Sequence, residues 1–292
     1  SKTVPNPFRG IAPAGTGLGD NSTVSLSTLL NLFPGFSDIL TERFDGSSSY
    51  HSAQFRVEKR FSRGYTLLST YTWSRYRERI SLLNPSDTEL ENRVSGDDRP
   101  HRFVASGIWE LPFGRGRHWG KDWGGFVNGF LGNWQAQGIY QLQSGAPISW
   151  GNIFFQGDPR KGFDLKVSSD RVDTTAYDLT PFYLPDSAAR TNGQPFNDTR
   201  IRLANNIRTF PSRLDGVRGQ RINLWDLSVI KNINLTESVK LQIRGEFLNA
   251  FNHPIFGFDS NNFVNPTRSD FGRITSQANL PRNVQIGLKL IF

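Results

Sequence analysis

The sequence has 292 residues, with 34 Lys and Arg against 26 Asp and Glu, a formal charge of +8. It contains no Cys, which excludes disulfides, thiolate chemistry and cysteine metal sites. No run approaches the roughly 18 apolar residues of a membrane-spanning helix, which excludes helical membrane proteins but not β-barrels, whose strands are only half apolar.

There is also no Met, so the chain is expected to be processed or part of something longer. Ser1 opens no signal peptide, because no basic start is followed by an apolar core. The Lys and Arg residues are interspersed with Asp and Glu rather than gathered in a stripe, so the charge reads as a solvated surface and no nucleic-acid partner is expected. The 23 Phe, 7 Trp and 7 Tyr, with frequent Gly and few helix-favouring runs, point to a mostly β protein.

In chain order, residues 1–49 are rich in Gly, Pro, Asn and Ser and read as an external loop region. Within them, "TVSLSTLLNLF" (23–33) suggests a short helix or an irregular apolar patch, and "FSDILTERF" (36–44) one more strand outside the bilayer. "YHSAQFRVEKRF" (50–61) places Phe55, Val57 and Phe61 on one face and Gln54, Arg56, Glu58 and Arg60 on the other. The turn "SRG" leads to "YTLLSTYTWSR" (65–75), with Leu67, Tyr71 and Trp73 opposite Thr66, Thr70, Thr72 and Ser74; the pair predicts a hairpin. "HRFVASGIWEL" (101–111) alternates Phe103, Ala105, Trp109 and Leu111 with Arg102, Ser106 and Glu110. "GNWQAQGIYQLQS" (132–144) alternates Trp134, Ala136, Tyr140 and Leu142 with Gln135, Gln137, Gln141 and Gln143. The Gly-, Pro- and Asp-rich stretch 145–221 follows as a long loop. "INLWDLSVIKNINL" (222–235) and "VKLQIRGEFLNA" (239–250) form a second tight pair, the latter with Arg244 and Glu246 on its polar face. "PRNVQIGLKLIF" (281–292) sets Val284, Ile286, Leu288, Leu290 and Phe292 against Asn283, Gln285, Gly287 and Lys289.

These seven runs are about 11–14 residues long. Strands in soluble proteins average about 5–6, whereas a tilted barrel strand crossing a bilayer needs about 9–11. The connections alternate strictly: 62–64, 112–130 and 236–238 are short or moderate, and 76–100, 145–221 and 251–281 are long. Outer-membrane barrels have short periplasmic turns and long external loops. If the last strand runs inward, every short turn falls in the periplasm and every long loop outside. Trp73 and Tyr50 then sit near outer strand ends, and Phe61, Trp109, Trp134 and Phe292 near inner ends, as interfacial aromatics do. The expectation is an all-β protein: an antiparallel up-and-down transmembrane β-barrel portion of about seven long strands. A large soluble β-sandwich is the competing reading, and the polar rows of Gln, Thr, Asn, Arg and Glu speak against it. Two residues strain the barrel: Lys59 and Lys231 fall on the apolar face, where Lys59 is placed to snorkel and Lys231 suggests a bulge or a register error.

Signals of bond chemistry are weak. His101 lies near Asp97 and Asp98 in "DDRPHRF", where hydrogen bonding at a strand entry is favoured over a metal site; His253 in "FNHP" reads as part of a strand exit. His51 and His118 have no obvious partners. "GTGLGD" (15–20) and "GRGRHWG" (114–120) do not sit between a strand and a helix, so phosphate cradling is not expected. No nucleophile elbow or Walker loop is present, and neither an enzyme activity nor a cofactor is expected. Phe154, Phe155, Tyr177, Phe182, Tyr183 and Arg160 in the longest loop offer aromatic and cationic surface without indicating one ligand.

Several stretches resemble the C-terminal barrel half of TonB-dependent outer-membrane receptors, in particular the group with an N-terminal carboxypeptidase-regulatory-like domain. They are "SSSYHSAQFRVEKRFSRGYTLLSTYTWSR", "DDRPHRFVASGIWELPFGRGR", "LGNWQAQGIYQLQSGAP", "LWDLSVIKNINLTESVKLQIRGEFLNAFNHPIFG" and "LPRNVQIGLKLIF". They span the chain from about residue 47, in the family's order. The resemblance implies location in the bacterial outer membrane and contact with its lipid. It also implies a larger barrel whose N-terminal strands and plug lie outside this sequence, and a TonB complex reached through that missing part. Phe292 then corresponds to the terminal aromatic that the barrel-assembly machinery reads. The expected function is nutrient import, of an oligosaccharide, a peptide or a metal chelate. Gln135, Gln137, Gln141, Gln143, Arg244 and Glu246 would face the lumen. A passive porin-like or adhesin barrel and a soluble carbohydrate-binding module remain alternatives.

Overall fold

The computed structural model describes residues 2–31, 33–36, 42–151, 207–236, 238–257, 274 and 276–292, together with the backbone of short strands at 154–155, 174–175, 182–183 and 273. Two compact units are present, Ser1–Asp45 and Gly46–Phe292. In the first, Thr3–Pro5 pairs antiparallel with Thr23–Ser25, and the helix Leu26–Leu29 follows. The 23–33 stretch is therefore split between a strand and a single helical turn. Asn6 closes this unit: its side-chain amide donates to the carbonyls of Leu18 and Asn21 at 2.7 and 2.8 Å. Most of the strand expected over 36–44 lies outside the described residues.

The second unit is built on seven long strands: β1 (Ser47–Ser62), β2 (Tyr65–Arg79), β3 (His101–Glu110), β4 (Trp134–Gln143), β5 (Ile222–Asn234), β6 (Lys240–Leu248) and β7 (Asn283–Ile291). Each pairs antiparallel with its neighbours in sequence, giving one meander from β1 to β7. The seven alternating runs became these seven strands. β1 starts three residues before the expected position, at Ser47, and β1 and β2 reach 16 and 15 residues. Their extra length projects beyond Trp73 on the side of the long loops, where Arg93–Val94 adds a short strand against Arg77 and Glu78. No helix among the described residues is long and apolar enough to cross a membrane.

The β1–β2 turn shows why the first hairpin closes tightly. Ser62 pairs with Tyr65 across a two-residue loop in which both Arg63 (φ 52°) and Gly64 (φ 85°) adopt the left-handed conformation. That is the condition for a type I′ turn, whose twist matches that of the flanking strands. A bulge between Lys59 and Ser62 precedes it. Lys59 sits on the apolar face, and its ammonium turns back to the carbonyl of Ser62 (2.8 Å), to the Ser62 hydroxyl (2.9 Å) and over the Tyr65 ring (3.4 Å to the centroid). It reaches the turn rather than the hydrocarbon.

Lys231 corrects the sequence expectation. No bulge occurs there: pairing of β5 with β4 is unbroken from Ile222 opposite Gln143 to Lys231 opposite Trp134. Because Trp134 is the first residue of β4, Lys231 lies at the inner edge of the sheet. Its side chain is 4% exposed and donates to the carbonyl of Gly132, with the ammonium 5.4 Å from the Trp134 ring centroid.

The registers hold side-chain alternation across the sheet. Phe55, Tyr71, Phe103 and Leu142 are successive partners on one face, and Leu241 and Leu290 continue the same face in β6 and β7. Aromatics meet near the outer ends: Tyr140 and Trp225 stack with centroids 4.2 Å apart, and Phe103 meets Tyr140 edge-on at 5.9 Å. Such pairs contribute about 0.5–1.5 kcal/mol beyond area burial. Tyr50 differs from expectation: it pairs with Tyr76 on the polar face and meets it edge-on at 5.8 Å, so it is not part of the apolar-face belt.

Candidate functional site

The polar face of the meander carries the residues singled out from the sequence. Gln135 of β4 lies opposite Glu110 of β3 and Ile230 of β5, and Ile230 in turn lies opposite Arg244 of β6. One row further outward, Gln137 faces Ser228, Ser228 faces Glu246, and Glu246 faces Gln285 of β7. Four of the six residues therefore fall into two adjacent cross-strand rows. Gln141 and Gln143 stand nearer the outer end, opposite Val104 and Arg102. Phe292 follows the last strand residue and is 92% exposed.

A concavity of about 570 Å³ opens on this face, lined among others by Glu58, Thr66, Gln137, Asp226, Ser228 and Glu246. Charges of both signs are present. Arg244 and Glu246 approach to 3.9 Å, while the Arg244 Nε is buried without a hydrogen-bond partner among the described residues. Nearer the inner edge, Gln242 donates to Asn232 at 3.0 Å, and Arg117 pairs with Glu110 at 2.7 Å. The face is not uniformly polar. Leu68, Val104, Ile108, Ile139, Leu224 and Ile230 share it by register, and the alternation read from sequence passed over them. Together these groups offer hydrogen bonds and modest charge to a solute. Among the described residues no cluster of His, Asp and Glu is arranged to hold a metal ion.

Above the outer strand ends lies a second group that sequence reasoning missed. Glu78, five residues past Trp73, accepts from Arg93 (2.9 Å) and Arg213 (2.7 Å) through one oxygen. Glu91 accepts from the Ser212 backbone (2.5 Å) and hydroxyl (2.6 Å) and from Arg93 (3.1 Å). Asp98 is fully buried; it accepts from the Tyr76 backbone amide at 2.6 Å and from Arg218 at 2.5 Å. These bonds tie segments 84–98 and 208–218 to the top of β2, over a small apolar core of Val94, Ile148, Trp150 and Val217. Arg213–Arg218 also pairs with Pro147–Ser149. Burial alone would raise the pKa of Glu78, but hydrogen bonds from Ser95, Arg213 and Arg93 outweigh it and hold the carboxyl below the usual glutamate value. Burial lowers the Arg99 and Arg208 pKa values from the ordinary arginine range.

The "DDRPHRF" motif is resolved by this layer. Asp98 turns toward Arg218, whereas His101 lies opposite Trp73 and shares a 2.8 Å hydrogen bond with the Tyr71 hydroxyl. His101 is therefore a strand-entry residue. His253 and Asn249 form the strand exit after β6: the His253 amide donates to the Asn249 side chain at 2.8 Å, and Asn249 (φ 49°) is left-handed. The loop residues Phe154, Phe155, Arg160, Tyr177, Phe182 and Tyr183 have side chains outside the described residues.

An antiparallel meander with one apolar and one polar face, two tight turns and one longer connection at one edge and long connections at the other, has the layout of an outer-membrane β-barrel. The chain belongs to the family of the outer membrane beta barrel domain, whose family model matches residues 5–285. A search of curated proteins finds no match.

Proposed function

We propose that this chain is part of a TonB-dependent receptor that binds and imports a nutrient such as an oligosaccharide, a peptide or a metal chelate. The observation that carries the passage reading is the pair of cross-strand rows that aligns Gln135 with Arg244 across Ile230, and Gln137 with Glu246 across Ser228, on the face opposite the apolar one. The receptor part of the reading is supported by the resemblance of the strand segments. Outer-membrane location sets the soluble carbohydrate-binding module aside.

In this reading the polar face lines the lumen, and Gln135, Gln137, Gln141, Gln143, Arg244 and Glu246 meet solute or a plug. Its work is binding and gated passage, without bond chemistry. Among the described residues no strand pairs with the outer edges of β1 and β7, and in hydrocarbon each unsatisfied backbone group costs several kcal/mol. Further strands therefore complete the barrel. Upstream sequence supplies these strands, the plug and the segment that engages the TonB complex. Phe292 serves as the signal read by the barrel-assembly machinery, so Phe292→Ala lowers the amount of full-length protein recovered in the outer membrane. The full-length protein in planar bilayers should stay closed to steady ion flow until its plug is removed. Steady conductance with the plug in place would replace the receptor reading with a passive porin.

A further inference from the structure

β3 and β4 are joined on the inner side by residues 111–133, much longer than the other two inner turns. The segment contains a helix, α1 (Gly125–Leu131). Phe126, Val127, Phe130 and Leu131 fall at spacings of one, four and five residues and share one side of it. None is covered: Phe126 is 92% exposed, Phe130 71% and Leu131 47%. Asn128, on the other side, holds the helix to the rest of the connection by accepting from the Arg115 amide at 2.7 Å. Gly132 terminates the helix where backbones touch; a Cβ there would stand 3.1 Å from the Gly114 Cα and closer still to Asn128.

Two side chains fix where this helix ends. The Trp134 indole donates to the Phe130 carbonyl at 2.9 Å, and the Lys231 ammonium donates to the Gly132 carbonyl. Trp134 and Lys231 are cross-strand partners on the apolar face of the sheet. The end of α1 is therefore docked at the inner rim of the lipid-facing side, not under the polar face. Uncovered aromatic and aliphatic side chains at that height continue the lipid-facing surface of the strands. Arg117 is paired with Glu110, and Arg115 and Lys121 against Asp122 leave the connection a small positive balance, which complements phospholipid phosphates.

We propose that residues 112–133 form an interfacial anchor that lies in the inner leaflet of the outer membrane, with Phe126 and Phe130 inserted among glycerophospholipid acyl chains. Short amphipathic helices of this kind bury their apolar side about 5–10 Å into the headgroup–acyl boundary. The anchor accounts for the length of the connection, and it explains a lysine buried at the rim: Lys231 is the peg that holds the helix against the strands.

The test uses the absence of Cys from this sequence. In the full-length protein, with any upstream Cys replaced, single nitroxide labels are placed by Phe126→Cys, Phe130→Cys and, as the aqueous control in the exposed β5–β6 turn, Ser238→Cys. The protein is reconstituted in phosphatidylethanolamine–phosphatidylglycerol vesicles. Labels at 126 and 130 should collide preferentially with oxygen and lose contact with a water-soluble nickel chelate, while the label at 238 keeps that contact. A Lys231→Met variant, checked for heat-modifiable barrel mobility, should raise nickel access at 126 and 130. Labels at 126 and 130 as accessible to nickel as the one at 238, in a protein with normal barrel mobility, would overturn the proposal. The outcome does not depend on whether the barrel imports a nutrient.

Discussion

The strands within the bilayer and the layer above them are held together by different physics. In the sheet, backbone pairing is continuous apart from the bulge after Lys59, and side chains are sorted by parity into an apolar and a largely polar face. Any neighbour of the right kind satisfies a position, so the code is redundant. In the outer layer, Glu78, Glu91 and Asp98 each have specific partners far away in sequence, and each is nearly or fully buried. Breaking a buried pair leaves an uncompensated charge, so this layer has little tolerance. The membrane region is robust and locally written; the outer layer is specific and written in long-range pairs.

The sharpest way to break this contrast is Asp98→Ala. It leaves Arg218 buried without its carboxylate and the Tyr76 amide without its acceptor, a cost of about 3–5 kcal/mol. Hydrogen exchange should rise in 93–98 and 208–218 while the amides of β4 keep their protection. Loss of protection in β4 to the same extent would show that the two regions unfold together. The next largest effect tests the parity code in adjacent residues. Leu227 is on the apolar face opposite Gly138 and Phe247, and Ser228 is on the polar face opposite Gln137 and Glu246. Leu227→Arg should destabilise the full-length barrel by about 2–4 kcal/mol in vesicle-based urea unfolding. Ser228→Arg should stay within about 0.5 kcal/mol of the parent. Equal costs would mean that the faces are misassigned.

The same contrast explains what could be read from the sequence. Period-two alternation, strand length and the alternation of short and long connections are local signals, and all seven strands followed from them with ends misplaced by a few residues. The grouping of Gln135 and Gln137 with Arg244 and Glu246 needed cross-strand register, which periodicity does not supply; only their common face was legible. Lys231 looked like a flaw because its depth was judged along β5 alone. Its depth is set by where β4 begins, and its partner is a carbonyl in a different connection. Arg213 and Arg218 lie in the aperiodic stretch 145–221, and nothing local ties them to Glu78 or Asp98. The one hint was "DDRP" directly before a strand, where two carboxylates invite distant cations.

The smallest expected effect is a pH dependence confined to the outer layer. The folded-state pKa of Glu78 lies below its ordinary value, because hydrogen bonds from Ser95, Arg213 and Arg93 to the charged carboxylate outweigh the opposing effect of burial. A depressed carboxylate pKa contributes stability that is fully present above the unfolded-state value and is lost as pH falls through the folded-state value. Acidification through that window should therefore accelerate exchange in 93–98 and 208–218, with little change in the membrane strands. Glu78→Gln keeps the shape and one acceptor but removes the charge that Arg93 and Arg213 face. The variant should exchange faster than the parent in those segments at neutral pH, and its further change on acidification should be shallower. An acid response of undiminished size in Glu78→Gln would place the titrating group elsewhere in the layer, and a response spread into β4 and β5 would mean that the outer layer and the sheet are one cooperative unit.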